Sequence, residues 1–325
     1  MPQRTRLPVL FIVGPTASGK SALARSIAEM CHGEIINFDA RQIYQHARIG
    51  TAAPGPEEQQ PIPHHLYNFL PPQKRFSAGA FEHRSARIIV NVIQRGHLPI
   101  LVGGTGLYFR AARHGLLPAP GPTPYRARLE QRLQREGPSS LYQELQSVDP
   151  DSAERIHPGD GKRIVRALEI YYVTGRPMSE FRKHHAFKTR RYFDRVIGLM
   201  PPRSRLKLRI HHRTEQMFAD GWIDEVRDLL ERGTPLDAPV FDAIGYRPIA
   251  EAIVRSQINT QIPNLIERIT RETYHYARAQ MKWFRREPDI LWFHDPPDQS
   301  ILISWIRPLL RALQPIRQKP PHETA

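Results

Sequence analysis

Cysteine is almost absent from this 325-residue sequence, and long hydrophobic runs are missing. The single cysteine, Cys31, excludes an internal disulfide, and no cysteine–histidine cluster has the spacing of a zinc site. The apolar run near the start, Leu7 to Val13, is far shorter than the ~20 residues of a membrane span. It also lacks the small-residue cleavage site of a signal peptide. We therefore expect a cytoplasmic protein with reduced thiols and no membrane partner.

Acidic residues are scarce relative to basic ones. Lys and Arg total 47 against 32 Asp and Glu, which gives a formal net charge of +15 at pH 7. Such a surplus is typical of proteins with a polyanionic partner, and nucleic acid is the commonest such partner. The 40% of hydrophobic and 24% of charged residues are otherwise those of a folded globular protein, which excludes a disordered chain.

Proline is abundant, and its clusters mark connections between domains. The cluster from Pro118 to Pro124 is the best candidate boundary, because short apolar runs alternate with helical stretches before it. That alternation is typical of a parallel α/β sheet. The predicted strands are VLFIV (9–13), EIINF (34–38), PILV (99–102), VIGLM (196–200) and DILWF (289–293). From Arg126 to about Arg191 the periodicity is helical, so we predict an α/β core (1–118 and 193–325) interrupted by an all-helical insertion (119–192).

A phosphate-binding motif follows the first predicted strand and precedes a helical run. The residues Gly14, Pro15, Thr16, Ala17, Ser18, Gly19, Lys20 and Ser21 fit the pattern GxxxxGK[ST] in full. Glycines allow backbone N–H groups to approach phosphate oxygens, Lys20 would neutralise the terminal phosphate, and the Ser21 hydroxyl would ligate Mg²⁺. A glycine-rich turn with a surface lysine is the structural alternative. The motif predicts a diphosphate or triphosphate ligand and leaves open whether it is ATP.

Two predicted strands end at residues that could take part in catalysis or ligand binding. Ligands of open parallel sheets bind beyond the carboxyl ends of the strands. Asp39 follows EIINF and could act as a general base or as a second-shell partner of a metal. It could also be a plain turn or cap residue. Thr105, in the glycine-rich segment 103–106 after PILV, offers a hydroxyl or is a simple cap. The adjacent His64 and His65 lack a third ligand, so we interpret them as loop packing or RNA contact rather than metal ligands.

A stripe of basic residues is predicted near the C-terminus. Its members recur at spacings of three and four, which places them on one face of a helix; they are Arg268, Arg271, His275, Arg278, Lys282 and Arg285. A solvated helix face is the structural alternative. Because so few acids accompany these cations, RNA contact is the favoured interpretation. A second basic group in the insertion comprises Lys162, Arg163, Arg166, Arg182, Lys183, Lys188, Arg190 and Arg191.

Along nearly its whole length the sequence resembles the tRNA dimethylallyltransferases (tRNA isopentenyltransferases). The matching segments are GPTASGKS (14–21), DARQIY (39–44), GTA (50–52), PHH (63–65), LVGGTGLY (101–108), RIHPGDGKRIVRALEIYYVTGRP (155–177), IGYR (244–247), and Gln280 with Trp283-Phe284. The resemblance implies a P-loop NTPase-like parallel core with an inserted helical domain. It also implies transfer of a dimethylallyl group from dimethylallyl diphosphate to N6 of the adenosine 3′ of the anticodon, in tRNAs that read codons beginning with U.

The resemblance implies a role for each site residue. Lys20, with Mg²⁺ on Ser21 and help from Arg209 or Arg213, would stabilise the leaving diphosphate. Asp39 would accept the proton of the N6 amine, and Thr105 would align the reactants. The contacts expected with the tRNA anticodon stem-loop are Asp39, Ala40, Arg41, Gln42, Thr105, Arg126, Lys162, Arg163, Ile164, Val165, Arg166, Gly245, Tyr246, Arg247, Arg278, Gln280, Lys282, Trp283 and Arg285. A monomer is expected.

Several positions depart from the usual pattern of that family. Ala40 stands where serine is usual and Ala53 where lysine is usual, while Tyr274 and Ala279 replace basic residues and Lys282 replaces threonine. Three other functions remain open at this point. They are a P-loop kinase of small molecules, a prenyltransferase acting on free adenine nucleotides, and an RNA-binding protein that uses the loop as a nucleotide switch.

Overall fold

The structure is a computed structural model that describes residues 6–116, 123–185 and 189–317. The chain divides into two compact units. One comprises the described residues up to Arg113 and from Arg191 onward, and the other extends from His114 to Arg190. The boundary predicted at residue 118 lies outside the described residues, as does Lys188 of the second basic group.

A six-stranded parallel sheet forms the centre of the first unit, with the strand order β3-β2-β4-β1-β5-β6. The strands are β1 (Pro8–Val13), β2 (Gly33–Asn37), β3 (His64–His65), β4 (Leu98–Gly103), β5 (Phe193–Leu199) and β6 (Ile290–Phe293). Leu10 of β1 is in register with Ile100 of β4 and Arg195 of β5. Every residue of β1 and β4 is buried, which explains their unbroken apolar sequences. The predicted α/β fold class is confirmed; the two-residue edge strand β3 was not predicted.

Twelve helices lie within the described residues. In chain order they are α1 (Lys20–Cys31), α2 (Ala78–Gln94), α3 (Gly106–His114), α4 (Pro124–Val148), α5 (Pro150–Ala153), α6 (Gly161–Thr174), α7 (Met178–His185), α8 (Arg203–Ala219), α9 (Trp222–Glu231), α10 (Tyr246–Val254), α11 (Ile258–Phe284) and α12 (Gln299–Arg317). A 3-10 turn, Pro239–Asp242, precedes α10. None of the described helices combines the length and apolar character that crossing a bilayer requires.

The second unit is helical and comprises α4 to α7. Its longest helix, α4, is interrupted at Gly137, where φ is 77°, and Pro138 follows. The apolar faces of α4 and α6 enclose a separate core that includes Leu141, Ile164 and Val165. The side chains of Ile164 and Val165 are 0% and 2% exposed. Their side chains therefore close the core, and the expected contact of these two residues with tRNA stays a prediction.

A second apolar core in the first unit surrounds Trp222. Gly245 has a φ of 93°, and a Cβ atom there would lie 2.2 Å from the Trp222 ring. Tyr246 is completely buried, and its hydroxyl donates to Oε1 of Glu225 at 2.6 Å. The same carboxylate accepts the backbone N–H groups of Ile49 and Gly50. Gly245 and Tyr246 thus shape the core and hold a loop of the site, and their expected contact with RNA stays a prediction.

A buried carboxylate, Glu34 of β2, lies under the edge of the sheet. Arg95 donates to both of its oxygens, at 2.9 and 2.7 Å, while ring nitrogens of His65 and His97 lie 2.6 and 2.7 Å away. Burial alone would raise the pKa of Glu34, but the hydrogen bonds from Arg95, His65 and His97 outweigh it and lower that pKa to about 2. His65 therefore supports the fold, as the packing interpretation expected.

We expect Glu34→Ala to lower the free energy of unfolding by about 2 kcal/mol at pH 7, because it removes the buried acceptor shared by the partly exposed donors His65, Arg95 and His97. The folded-state pKa lies below the ordinary value of 4.5, so this stabilisation is present above pH 4.5 and disappears as the pH falls towards 2. Urea unfolding of both proteins at pH 7 and pH 3 measures the difference. The surface control Asp295→Ala, which removes the exposed partner of Arg205, should leave stability almost unchanged. An equal effect of Glu34→Ala at both pH values would contradict the assignment.

Candidate active site

The phosphate loop connects β1 to α1 and ends at the first turn of that helix. A Cβ atom at Gly14 would lie 2.6 Å from the backbone oxygen of Leu199, so a side chain there would collide with β5. Gly19 caps α1 with a φ of 92°, a conformation that glycine adopts without strain. The Ser18 hydroxyl is buried and has no partner within the described part of the chain. These features leave backbone N–H groups and a helix N-terminus available to an anion.

Two cations face the phosphate loop. Lys20 donates to the backbone oxygen of Pro15 at 3.1 Å. Burial lowers the pKa of Lys20 to about 8, since it outweighs the charge of Asp39, which raises it; the charge of Arg213 lowers it further. Burial also lowers the pKa of Arg213, against the charge of Asp39. Arg213 forms no hydrogen bond or ion pair with any residue that the structure describes. Both cations are thus desolvated groups that an anionic ligand would stabilise.

Arg209 lies one turn before Arg213 on α8 and is half-buried. It lines neither of the two cavities described below. Its expected contact with diphosphate therefore stays a prediction.

Asp39 occupies a tight turn after β2. The Asn37 side chain holds this turn, because its oxygen accepts from the Asp39 N–H at 2.7 Å and its nitrogen donates to the Leu66 oxygen. One carboxylate oxygen of Asp39, Oδ1, accepts from the Arg41 N–H at 2.9 Å. Within the described residues the second oxygen, Oδ2, has no hydrogen-bond partner. Asp39 is therefore both a turn residue and a carboxylate with one oxygen available for chemistry.

Thr105 bridges the ends of β4 and β2. Its hydroxyl oxygen accepts from the Ala40 N–H at 2.9 Å. A Cβ atom at Gly104 would lie 2.1 Å from Nε2 of Gln280, and one at Gly106 would lie 2.3 Å from the Trp283 ring. The absence of side chains at Gly104 and Gly106 therefore makes room for Gln280 and Trp283 of α11. Thr105 is consequently fixed between the Asp39 turn and that helix.

Two cavities meet at Arg213 and Met217, which line both. The larger cavity, of 1020 Å³, is lined by Ser21, Arg25, Arg48, Ala53, His64, Tyr67 and Val102 among others. The smaller cavity, of 280 Å³, is lined by Thr16, Ala17, Asp39, Arg41, Gly50, Thr51, Thr273 and Tyr276, with an apolar end at Ile210, Trp222, Ile244 and Ile269. The phosphate loop and Asp39 therefore share the wall of one partly apolar cavity.

Tyr276 is a site residue that the sequence reasoning missed. It lies outside the basic stripe of α11, and it lines the smaller cavity with Asp39. Burial and the charge of Asp39 raise its pKa, while hydrogen bonds with the side chains of Thr105 and Gln280 oppose that shift. Its position four residues before Gln280 and seven before Trp283 was the available signal, since these residues share a helix face.

Gln280, Gln42 and Arg247 have structural roles. Gln280 is only 5% exposed, and both ends of its amide are hydrogen-bonded to loops of the site. The Gln42 amide donates to the backbone oxygens of Thr51 and Ala52, at 3.1 and 2.7 Å. Arg247 is half-buried and donates to the Leu236 oxygen at 2.7 Å. The expected contacts of these residues with RNA stay a prediction.

The basic stripe is exposed on the outer face of α11 at all six positions. Arg268 pairs with Glu272 at 2.9 Å. Further along the helix, a depression of 590 Å³ is lined by Arg203, His275, Arg278, Ala279, Met281, Lys282, Arg285 and Arg286. No acidic residue lines it. Trp283 lies on another face of the helix and is half-buried, with the Arg110 guanidinium 4.8 Å from its ring centre. Its side chain is therefore used mainly for packing within the protein.

The basic residues of the second unit are partly paired. Arg126 pairs with Glu130 at 3.0 Å, and Arg166 pairs with the buried Glu169 at 2.6 Å. Arg163 lies 3.3 Å from Asp160, while Lys162 is exposed. Exposed pairs of this kind are weak and exchange readily for phosphate, whereas the pair with Glu169 is held at a buried carboxylate.

The sheet and the loop at its carboxyl edge define a phosphate-loop α/β protein. Comparison with known proteins narrows this class. Residues 42–287 match the family model described as IPP transferase. A tRNA dimethylallyltransferase of Geobacter metallireducens is 41% identical over 305 residues, which cover 94% of this chain and 97% of that protein.

Solved structures agree with this comparison. The tRNA Δ(2)-isopentenylpyrophosphate transferase of Staphylococcus epidermidis has a TM-score of 0.66 at 32% identity, covering 94% of this chain and 99% of its own. A eukaryotic dimethylallyltransferase acting on tRNA has a TM-score of 0.78 at 27% identity, covering 93% and 77%. This chain belongs to the IPP transferase family, and it is an enzyme of the prenyl-transferring class.

Proposed function

We propose that this enzyme transfers the dimethylallyl group of dimethylallyl diphosphate to N6 of the adenosine 3′ of the anticodon, in tRNAs that read codons beginning with U. One observation carries the proposal: Asp39, Arg213 and the phosphate-loop residues Thr16 and Ala17 line one cavity, and the charge of Asp39 acts on both Arg213 and Lys20. A carboxylate facing cations across an apolar-walled cavity suits the removal of a proton from one reactant and of an anion from the other.

The donor diphosphate fits the phosphate loop. Diphosphate gains negative charge as the C1–O bond breaks, so cations and N–H groups arranged in advance lower the barrier. Lys20, Arg213 and the N-terminus of α1 supply them, and the unpartnered hydroxyl of Ser18 is a further donor. Arg209 would join them if its side chain turned towards the loop.

Mg²⁺ is the ion that the residues fit. The Ser21 hydroxyl lies in the wall of the larger cavity, at the start of α1. Mg²⁺ prefers oxygen ligands and usually keeps substrate phosphates and waters as most of its shell. No group of three or more His, Cys, Asp or Glu able to hold a metal occurs in the described ranges, so the ion would arrive with the diphosphate. When bound, it would neutralise charge on the leaving group.

Asp39 and Thr105 act on the acceptor. The N6 amine of adenine is a weak nucleophile, because its lone pair is delocalised into the ring. As the bond from N6 to C1 forms and the bond from C1 to the diphosphate oxygen breaks, the N6 proton passes to Oδ2 of Asp39. Thr105, held by the Ala40 N–H, orients the amine. The partly apolar cavity keeps water away from the reacting carbon.

The acceptor base must leave the anticodon stack to reach Asp39, which costs a few kcal/mol. The free energy of contacts with the flanking RNA offsets that cost. The exposed basic stripe supplies them without base specificity, as phosphate contacts do, and Lys162 and Arg163 of the second unit add to them. The proposal includes a monomer that acts on cytoplasmic tRNA.

The function is tested by incubating unmodified tRNA with the protein, Mg²⁺ and dimethylallyl diphosphate, followed by intact-mass analysis and nuclease mapping. We expect a gain of one five-carbon isoprenyl unit at the adenosine 3′ of the anticodon. A matched tRNA with guanosine at that position should gain nothing. Prenylation of free adenine nucleotides instead, or ATP consumption with a small acceptor, would establish one of the alternative functions.

We expect the double variant Arg278→Ala/Lys282→Ala to bind tRNA less tightly and to lower the slope of log K against log salt by about two, one for each lost phosphate contact. Turnover at saturating tRNA should be retained, because both side chains point away from the site. Filter binding across a salt titration measures the slope. The control Arg205→Ala/Arg232→Ala removes cations that already pair with Asp295 and Asp228. An unchanged slope in the first variant, or an equal loss in the control, would contradict the assignment.

A further inference from the structure

Gln280 joins two loops of the site through its amide. Oε1 accepts from the Thr16 N–H of the phosphate loop at 2.9 Å, and Nε2 donates to the Gly104 oxygen after β4 at 3.0 Å. A backbone donor on one side and a backbone acceptor on the other fix which end of the amide is oxygen. Both hydrogen bonds lie in a buried setting, where a lost partner is costly.

Tyr276 extends this connection towards Asp39. Its side chain lines the smaller cavity with Asp39, and the neighbouring side chains of Thr105 and Gln280 lower its pKa against the effect of burial. Thr105 in turn accepts the N–H of Ala40, the residue after Asp39. Hydrogen bonds of Gln280 therefore connect the phosphate loop to the segment 104–105, and the Thr105 hydroxyl connects that segment to the turn that carries the carboxylate.

The packing leaves little freedom around this chain. Gly104 and Gly106 have no room for a Cβ atom against Gln280 and Trp283. The loops that meet here follow three different strands, β1, β2 and β4, so nothing in the sheet alone fixes their mutual distance at the level of tenths of an ångström. Helix α11 is the element that contacts the loops after β1 and β4 directly.

We propose that Gln280 and Tyr276 are positioning residues that set the distance between the phosphate loop and the Asp39–Thr105 pair. This inference rests on the proposed function. In-line displacement requires N6, C1 and the leaving oxygen to be aligned, and a misplacement of about 1 Å can cost on the order of 100-fold in rate. Gln280 acts through Thr16 and Gly104, and Tyr276, which lines the cavity with Asp39, acts through the neighbouring Thr105.

Gln280→Met keeps the length of the side chain and removes both hydrogen bonds, and Tyr276→Phe removes a single hydroxyl. We expect kcat to fall about 10- to 100-fold in Gln280→Met and about 5- to 20-fold in Tyr276→Phe. The Kd for tRNA should stay within about twofold of wild type, since Gln280 is 5% exposed. Single-turnover kinetics with saturating donor and tRNA, together with filter binding, measure both quantities.

The double variant separates a connected chain from two independent contacts. If the residues act as one unit, the kcat of the double variant should be close to that of the less active single variant. If they act independently, the two fold-losses should multiply. A purely structural role would lower the melting temperature while leaving kcat of the folded protein at wild-type level; that result would overturn the proposal, as would a loss of tRNA affinity with normal kcat. If Gln280→Met does not fold, Tyr276→Phe decides alone. Absence of transfer by the wild-type protein would instead refute the proposed function itself.

Discussion

Replacing Asp39 by asparagine should lower turnover by at least about two orders of magnitude while leaving tRNA affinity within about twofold of wild type. Asparagine keeps an oxygen that can accept the Arg41 N–H, so the turn after β2 should survive. It cannot take the proton that N6 must lose. Single-turnover transfer to tRNA at saturating donor measures the effect, and filter binding measures affinity.

Two further variants make this result interpretable. Asp39→Ala removes the hydrogen bond to Arg41 as well, so any loss beyond that of Asp39→Asn reports the turn rather than the proton transfer. Asp242 lines the same cavity, and its carboxylate lies 3.3 Å from Arg247. Asp242→Asn should therefore change turnover only slightly. Near-wild-type turnover in Asp39→Asn would remove Asp39 from the mechanism.

Replacing Lys20 by methionine should lower kcat/KM for the donor by at least about 100-fold, because a buried cation next to the leaving group is lost. In the wild-type protein the pKa of Lys20 is about 8, well below its ordinary value of 10.5, since burial disfavours the ammonium. Lys20 is thus mainly protonated at pH 7, and its positive charge is lost as the pH rises through about 8. We expect the Kd of a non-reactive donor analogue to increase from pH 7 to pH 9.5.

Calorimetric titration with that analogue, at several pH values, measures the dependence. Lys20→Arg is the matched control, because a guanidinium stays charged throughout this range. It should bind the analogue more weakly than wild type at pH 7 and show a flatter pH profile. A wild-type profile that is flat to pH 9.5 would show that Lys20 is not the group that governs donor binding.

The sheet and the phosphate loop could be predicted because their signals are local. A buried parallel strand is a short apolar run, and a phosphate loop requires glycine at fixed positions, so β1, β4 and residues 14–21 were identified from their own sequence. The edge strand β3 has only two residues and no apolar pattern. Its place depends on Glu34, a carboxylate whose partners His65, Arg95 and His97 are distant in sequence.

The inner face of α11 could not be assigned from periodicity alone. Spacing places Tyr276 and Gln280 on one face, but only the fold shows that this face meets the loops after β1 and β4. The same limitation applies to the expected RNA contacts. Ile164, Val165 and Tyr246 lie in segments that resemble the family strongly, and their side chains are buried. A shared sequence segment identifies a position that matters and does not distinguish a core residue from a ligand contact.

The interruption of the sheet by the second unit has a consequence for synthesis on the ribosome. Central strand β1 pairs with β4 and with β5, whose partner residues Arg195 and Ile197 emerge more than half a chain length later. The helical unit between them is contiguous in sequence, and its contacts are local, which favours early and rapid folding. The nascent chain should therefore contain a folded helical unit before β1 and β5, which lie on either side of it in sequence, have paired. The phosphate loop, whose Gly14 packs against Leu199, would gain its shape only when β5 arrives.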